Sequence, residues 1–529
     1  MKPALKRELL LLAALALGVT AAQGQQTSQP APKAPVKKAA PASQEDGTGV
    51  VPPGVKLQAA MPASSAPHAF HFPDAATKTL PNGLRVFVVT DHSEPSVAAQ
   101  LVIMSAGSIR DSKEEPGIAE MTANMLTQGT EKRSARDIAE AIDFVGGSLN
   151  AAAGRDSTTV TLDVVKKDLD TGLDLMSDVV LHPAFAAQEL ERQRRQLLSG
   201  LTVQYSDPEY LASAVFSRAL YGVSPYGWPA EGTPETAQKF SREELAKFHD
   251  ANYGPEQSLI AFAGDVTPDE AFAAAEKYFG AWQKLQATAA VPPTAAPLSG
   301  IHIWLIDKPD AVQTQIRVGK LGIRRGDPDY IPVVVTNRIF GGGYNSRLNT
   351  EVRVKKGLTY GAYSSFEPHL YSGSFGVGTF TRTEATVEAT KLVVDLISQM
   401  SSGEVTPKEM DFARDYLAGV YPIQSETAEQ VAERVLTAAI FDLPKDYNST
   451  YPERIRGVTS AQVKEMAQKY LDAKDLDIVL VGNAGAFRDA LKKQFPDAQY
   501  AEIPFDQVDL LAPDLRKAAK AAPPAAPTN

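Results

Sequence analysis

The chain has 529 residues, with 53 Lys and Arg against 63 Asp and Glu, for a formal net charge of -10. That balance, with no long basic block in the chain, argues against the clustered positive charge a nucleic-acid partner requires. A content of 43% hydrophobic and 22% charged residues excludes a wholly disordered or fibrous chain, and the absence of Cys excludes disulfides and thiolate metal sites.

Residues 1–24 read as a secretory signal. Lys2, Lys6 and Arg7 precede the apolar run from Leu9 to Val19, and the small residues Ala21, Ala22 and Gly24 follow. The run is short for a membrane span and no Cys follows to carry a lipid, so the expected product is exported, periplasmic or extracellular, with no stable membrane span after cleavage; an uncleaved anchor is the alternative reading. Residues 25–71, rich in Pro, Ala, Ser and Gln, are expected to be a disordered leader. Residues 287–299 read as a linker of the same composition and 507–529 as a flexible tail. Two large units remain, 72–286 and 300–506.

These units look like copies, with landmarks repeating at an offset of roughly 210 to 220 residues. Short apolar β-type runs open each, Leu84 to Val89 and Ile301 to Ile306, with second strands at Ala98 to Met104 and Thr314 to Val318. Asn82-Gly83 supplies turn chemistry before the first run. Thr158 to Val165 and Ser374 to Thr379 are strand-like, each preceding a helical pattern, Asp168 to Val180 and Ala385 to Met400. Further helices at Ala187 to Leu198 and Pro407 to Val420 correspond. Buried-type strands, Ser258 to Gly264 and Asp477 to Gly482, follow helices ending near Tyr253 and Tyr470. The expected class is α+β, two homologous halves that are each a mainly antiparallel sheet covered by helices.

Several motifs carry a family resemblance. Pro116 to Thr130 (PGIAEMTANMLTQGT) is similar to the first active-site helix of the pitrilysin/insulinase-type zinc peptidases, which include processing peptidases. In the same order, Leu80 to Leu84 resembles the family's opening strand and Gly146 to Ala151 its substrate-edge strand. Tyr253-Gly254-Pro255 through Val266, Gly341 to Leu348, and Arg353 through Tyr360 also match. The resemblance spans about residues 75 to 505, covering both halves, and implies that the chain forms half of a clamshell chamber.

The family's zinc site is H-x-x-E-H, two His on one helix face with a Glu that activates water. The corresponding positions here are Glu120, Ala123 and Asn124. The third ligand position falls on or near Gly200 and a supporting Glu position on Gln193, so every catalytic slot is substituted. The seven His (His68, His71, His92, His182, His249, His302 and His369) contain no i, i+4 pair that could rebuild it. Asn124 is a poor zinc ligand and Ala123 cannot accept a proton from water. No zinc is expected in this chain.

The resemblance also implies an Arg and a Tyr contributed across the chamber in a pattern R-x-x-x-G-L-x-Y, and Arg353 and Tyr360 match it. Such groups hold a peptide carbonyl and stabilise the oxyanion formed on it. Read from spacing alone, Arg353 is a surface helix charge and Tyr360 a core aromatic; the full motif turns the reading toward function. Asn150 corresponds to an edge-strand residue that binds extended substrate backbone, or is simply a strand-end residue. Gly341 to Gly343 lack a following Lys-Ser/Thr, so they suit tight backbone packing better than phosphate binding.

The sequence therefore resembles the non-catalytic, substrate-binding subunit of an exported heterodimeric zinc metallopeptidase, with the zinc in a homologous partner and a peptide as substrate. Two other readings remain: a peptidase-like binding or assembly protein with no proteolytic role, and a self-sufficient metallopeptidase with an unrecognised metal site.

Overall fold

The computed structural model describes residues 70–285, 295 and 299–518. The signal segment, all but the end of the leader, most of the linker, and residues 519–529 lie outside the described residues.

The first half builds a six-stranded sheet from β1 (Ala76–Thr79), β2 (Arg85–Thr90), β3 (Ser96–Ile103), β4 (Ser148–Ala153), β5 (Thr158–Val165) and β6 (Ser258–Gly264). Its order is β1-β2-β6-β3-β5-β4. The second half repeats this with β7 (Ile301–Asp307), β8 (Gln313–Leu321), β9 (Ala362–Pro368), β10 (Gly373–Arg382), β11 (Leu476–Gly482) and β12 (Gln499–Pro504), in the order β12-β7-β11-β8-β10-β9. Equivalent strands begin at residues 85 and 301, 96 and 313, 148 and 362, 158 and 373, and 258 and 476, between 214 and 218 residues apart. The expected α+β duplication is thus present. The outermost strand breaks the symmetry: β1 precedes β2 and pairs with it antiparallel, whereas β12 comes from the end of the second half and pairs parallel with β7. The segment Leu80 to Leu84, expected as an opening strand, is instead the turn joining β1 to β2. Gly83 sits there at φ 99°, a conformation that only glycine adopts without strain.

Helix starts follow the chemistry of the sequence. Ser134/Asp137, Ser241/Glu244, Thr267/Glu270, Thr406/Glu409 and Thr427/Gln430 each form a reciprocal capping box that satisfies otherwise unpaired N–H groups. The half-buried strand β5 (TTVTLDVV) alternates buried and partly buried residues, as period-two patterning requires. The central strands β6 and β11 are buried at every position.

That full burial has a tertiary cause. One face of each sheet packs on helices of its own half. The opposite face is covered by a helix sent across from the other half. Leu211, Ala212 and Val215 of the helix Pro208–Tyr221 pack on Ile306, Val479, Val481 and Ile503 of the second sheet. Reciprocally, Val431, Ala432, Val435 and Leu436 of the helix Ala428–Ile440 pack on Val89, Val102, Leu259, Ala261 and Ala263 of the first.

The expected flexible tail needs correcting over 507–518. Val508, Leu510 and Leu515 are buried in the same cluster as the first crossing helix. Arg218, 3% exposed, donates from Nε to the Leu510 carbonyl at 2.7 Å and from its terminal nitrogen to that of Ala512 at 2.8 Å. The Pro/Ala composition that suggested a tail belongs to the residues after 517, whereas 507–517 carry three apolar anchors that reach one cluster. At the other end the leader is already docked at Phe70, whose ring meets Tyr421 edge-on at 5.6 Å. Among the described residues no helix is long and apolar enough to cross a membrane.

Candidate functional site

The helix Ile118–Leu126 carries the degenerate motif. Its start is fixed by Asp111, whose carboxylate accepts the N–H groups of Gly117 (2.7 Å) and Ala119 (3.1 Å). Burial pushes this carboxyl up to about 8, opposed by those two N–H donors and by Arg155. Gly117 takes φ 95°, and a side chain there would lie 2.7 Å from the Glu231 carbonyl carbon. The loop holding Glu231 therefore packs directly on the helix N-terminus. Asp111 and Glu231 belong to no recognisable motif and were invisible as sequence features.

Glu120 and Asn124 face each other one turn apart, with the Asn124 amide donating to Glu120 Oε1 at 3.1 Å. Glu120 Oε2 accepts the backbone N–H of Ala153 at 3.2 Å, tying the helix to the end of edge strand β4. Burial raises the Glu120 pKa above the ordinary carboxylate range, against these two hydrogen bonds, and Glu231 adds to the rise. Ala123 is fully buried. Gly200 is exposed on the helix Ala187–Gln204, and nothing lies within 4 Å of where its side chain would be.

This donor set does not fit a catalytic zinc ion. Glu120 already serves as acceptor to two internal donors, Asn124 turns an amide rather than an anion toward it, and the other two positions offer no ligand atom. Among the described residues no group of three or more His, Asp or Glu is placed to hold a metal. The described His serve elsewhere. His249 is buried, contacts the Val180 carbonyl at 2.8 Å and stacks on Tyr253; burial lowers its pKa. His92 meets Asp265 at 2.5 Å on the surface. His68 lies outside the described residues.

Asn150 is exposed on the edge strand β4, which among the described residues pairs with β5 alone, and whose end is tied to Glu120 through the Ala153 N–H. An edge strand is the geometry that backbone pairing with an extended peptide requires.

In the second half Tyr360 is 82% exposed, so it is not a core aromatic. It stands at the rim of a cavity of about 600 Å3 between the crossing helix Pro208–Tyr221 and the face of β8, β9 and β10. Phe216, Arg317 and Tyr363 contribute walls. The floor is low because Gly319 and Gly376 carry no side chain: one added at either would meet the Phe216 ring, at 2.7 and 3.1 Å. Arg317 contacts Glu209 at 3.3 Å and Ser213 at 3.2 Å, and burial lowers its pKa. The β9–β10 turn is pinned to the first half by Asp156, which accepts the Leu370 N–H at 3.0 Å and the Tyr226 hydroxyl, while Tyr226 stacks on His369 at 4.7 Å.

Arg353 lies on the π-helical segment Thr350–Lys355 and places its guanidinium 4.7 Å over the Tyr344 ring. It is not among the residues lining the cavity at Tyr360, nor are Glu120, Ala123, Asn124, Asn150 or Gly200. Of the sequence-derived site residues, Tyr360 is thus the one that lines this cavity. Gly341 serves close packing: a side chain there would overlap Ser364 on β9. Arg347 closes a two-pronged ion pair with Glu409, at 2.6 and 2.9 Å, that holds the short helix Arg347–Asn349 to the helix Pro407–Ile423.

Two duplicated sheet layers, a helix carrying a remodelled metal motif in the first and an exposed Tyr over a cleft in the second define a peptidase-like scaffold. Residues 85–233 match the family model described as insulinase (peptidase family M16), and 239–417 that of the peptidase M16 inactive domain. An uncharacterized zinc protease of Mycobacterium leprae is 31% identical over 64% of this chain and 77% of that protein. A non-peptidase homolog, YmxG, of Helicobacter pylori is 24% identical over 74% of this chain and 90% of its own length. The crystal structure of a peptidase M16 inactive domain from Pseudomonas fluorescens superposes with a TM-score of 0.72 at 30% identity, covering 77% of this chain and 98% of that one. The chain belongs to the M16 peptidase family.

Proposed function

We propose that this chain is the non-catalytic, substrate-binding subunit of an exported heterodimeric zinc metallopeptidase acting on peptides or unfolded segments. The observation that carries the reading is an asymmetry between the halves. In the first, Glu120 and Asn124 satisfy one another and the β4 backbone, leaving no set of atoms for zinc. In the second, Tyr360 keeps its matched spacing from Arg353 and stands open to solvent. A hydroxyl so presented, with a guanidinium at the matched spacing in the sequence, suits a peptide carbonyl bound by another chain. The zinc belongs to the homologous partner, and this chain binds none.

Reconstitution with a partner bearing an intact H-x-x-E-H tests this. Tyr360→Phe removes one donor to the developing oxyanion, so turnover of the pair falls by about 100 to 1,000-fold, with zinc content and assembly unchanged. Full activity of the pair carrying both Tyr360→Phe and Arg353→Ala replaces this reading with that of a binding or assembly protein. The non-peptidase description of the Helicobacter pylori relative favours that second reading to the same degree that it favours the first.

A further inference from the structure

The duplication supplies an internal control for surface chemistry. The helices Ala187–Gln204 and Pro407–Ile423 hold the same place in the two halves, and the crossing helix after each fixes the register. The crossing helices start at N-caps Asp207 and Thr427 and bury Leu211, Ala212 and Val215 in one case, Val431, Ala432 and Val435 in the other, so equivalent residues lie 220 apart. At this offset Leu190 and Met410 are both buried, as are Leu201 and Tyr421.

The outward faces differ. On the second helix Phe412, Tyr416 and Ile423 are 43%, 45% and 59% exposed, and Gly419 between them has open space beside it. Their four-three-four spacing is that of a heptad seam, a stripe about 16 Å long at 1.5 Å per residue. The first helix carries Arg192, Gln196, Ser199 and Val203 at the matching positions. A fold that accepts Arg, Gln and Ser there does not itself require Phe, Tyr and Gly.

The stripe connects to the candidate site. The Arg338 guanidinium lies 3.5 Å over the Tyr416 ring and 5.8 Å from that of Phe412, and also donates to the Gly342 carbonyl at 2.6 Å. Gly343 leaves it room, since a side chain there would overlap Arg338. The next residue, Tyr344, is exposed and lies beneath Arg353. Two aromatic–guanidinium contacts, Arg338 over Tyr416 and Arg353 over Tyr344, are thus linked by the short segment Gly342 to Tyr344.

The exposed parts of Phe412, Tyr416 and Ile423 amount to roughly 300 Å2, taking about 150 to 250 Å2 for a large side chain. A stable subunit interface needs about 800 Å2 on each partner. The stripe is therefore sized for a short segment, and its seam spacing is the one that accepts apolar anchors from an amphipathic helix. We infer that Phe412, Tyr416, Gly419 and Ile423, with Arg338, dock a short amphipathic helical segment of the peptide that this chain handles. The inference rests on the peptide-binding reading above and adds a preference for apolar side chains at four-three-four spacing.

The test uses the full chain and a fluorescein-labelled peptide of about 16 residues, with leucines at that spacing on a Glu/Lys/Gln background, against a scramble of equal composition. Fluorescence anisotropy should show the patterned peptide binding at least about tenfold more tightly than the scramble, a difference of about 1.4 kcal/mol. The double variant Phe412→Ser/Tyr416→Ser, and separately Ile423→Ser, should remove that advantage, while Val203→Ser on the matching first-half helix leaves it intact. Equal affinity for both peptides, or unaltered binding by the stripe variants, overturns the inference. So does conversion of a dimer to a monomer by the double variant with peptide affinity unchanged, which would make the stripe a subunit contact. If stripe variants bind normally while Tyr360→Phe still lowers turnover of the reconstituted pair, this inference falls and the proposed function stands. Loss of patterned binding in a chain whose Tyr360 and Arg353 prove dispensable gives the reverse.

Discussion

Separating the two halves between residues 286 and 299 should leave neither able to fold. The reciprocal helix crossing sets the size of the effect. Without the first half, Ile306, Val479, Val481 and Ile503 of the second sheet lose the cover of Leu211 and Val215, and all six are almost completely buried in the intact chain. At about 1.5 to 3 kcal/mol for each large aliphatic side chain returned to water, the loss is about 9 to 18 kcal/mol, with the docked tail retaining part of it. That matches or exceeds the whole stability of an ordinary domain, about 5 to 15 kcal/mol. The intact chain should accordingly unfold in urea in one transition. Trp304 reports on the second half and Trp228 and Trp282 on the first, so single-Trp variants read the halves separately. Distinct midpoints, or a soluble 72–286 fragment with native-like circular dichroism and its own cooperative transition, would refute the reasoning.

Three further outcomes are expected. The purified chain should carry no stoichiometric zinc and hydrolyse no peptide alone; elemental analysis giving one zinc per chain, with activity lost to a chelator, would contradict the donor-set argument. Asp477 on β11 is buried beside Trp304 Nε1 (3.1 Å), and burial pushes its carboxyl up to about 6. A folded carboxyl pKa above its unfolded value means that this group's contribution to stability is full below about 4 and is lost as pH rises through about 6. Asp477→Asn, which keeps the acceptor, should therefore stabilise the protein at pH 7 and not at pH 4, as read by chemical denaturation at the two pH values. Gly341→Ala drives a methyl group into Ser364, to 2.8 Å from its Cβ and 2.9 Å from its backbone nitrogen. A loss of about 1 to 3 kcal/mol in thermal or urea unfolding is expected, and a neutral result would show that β9 can retreat.

The sequence by itself determined the local chemistry. The strand-like run Thr158 to Val165 placed a strand, and landmarks repeating at roughly 210 to 220 residues disclosed the duplication. It also determined that Glu120, Ala123 and Asn124 cannot reproduce a zinc site, because ligand chemistry depends on residue type before geometry. Tertiary structure alone decided what covers each sheet. Nothing in Leu211 or Val435 indicates that each serves the opposite half, since apolar periodicity gives a buried face without naming its partner. The same limit explains the docked tail, whose three anchors Val508, Leu510 and Leu515 find their cluster only where the first crossing helix meets the second sheet. It also explains the internal satisfaction of Glu120 by Ala153, 33 residues away. Exposure was likewise beyond the one-dimensional pattern: Tyr360 and the stripe Phe412–Ile423 carry the residue types of a core, and only the packing around them leaves them facing water.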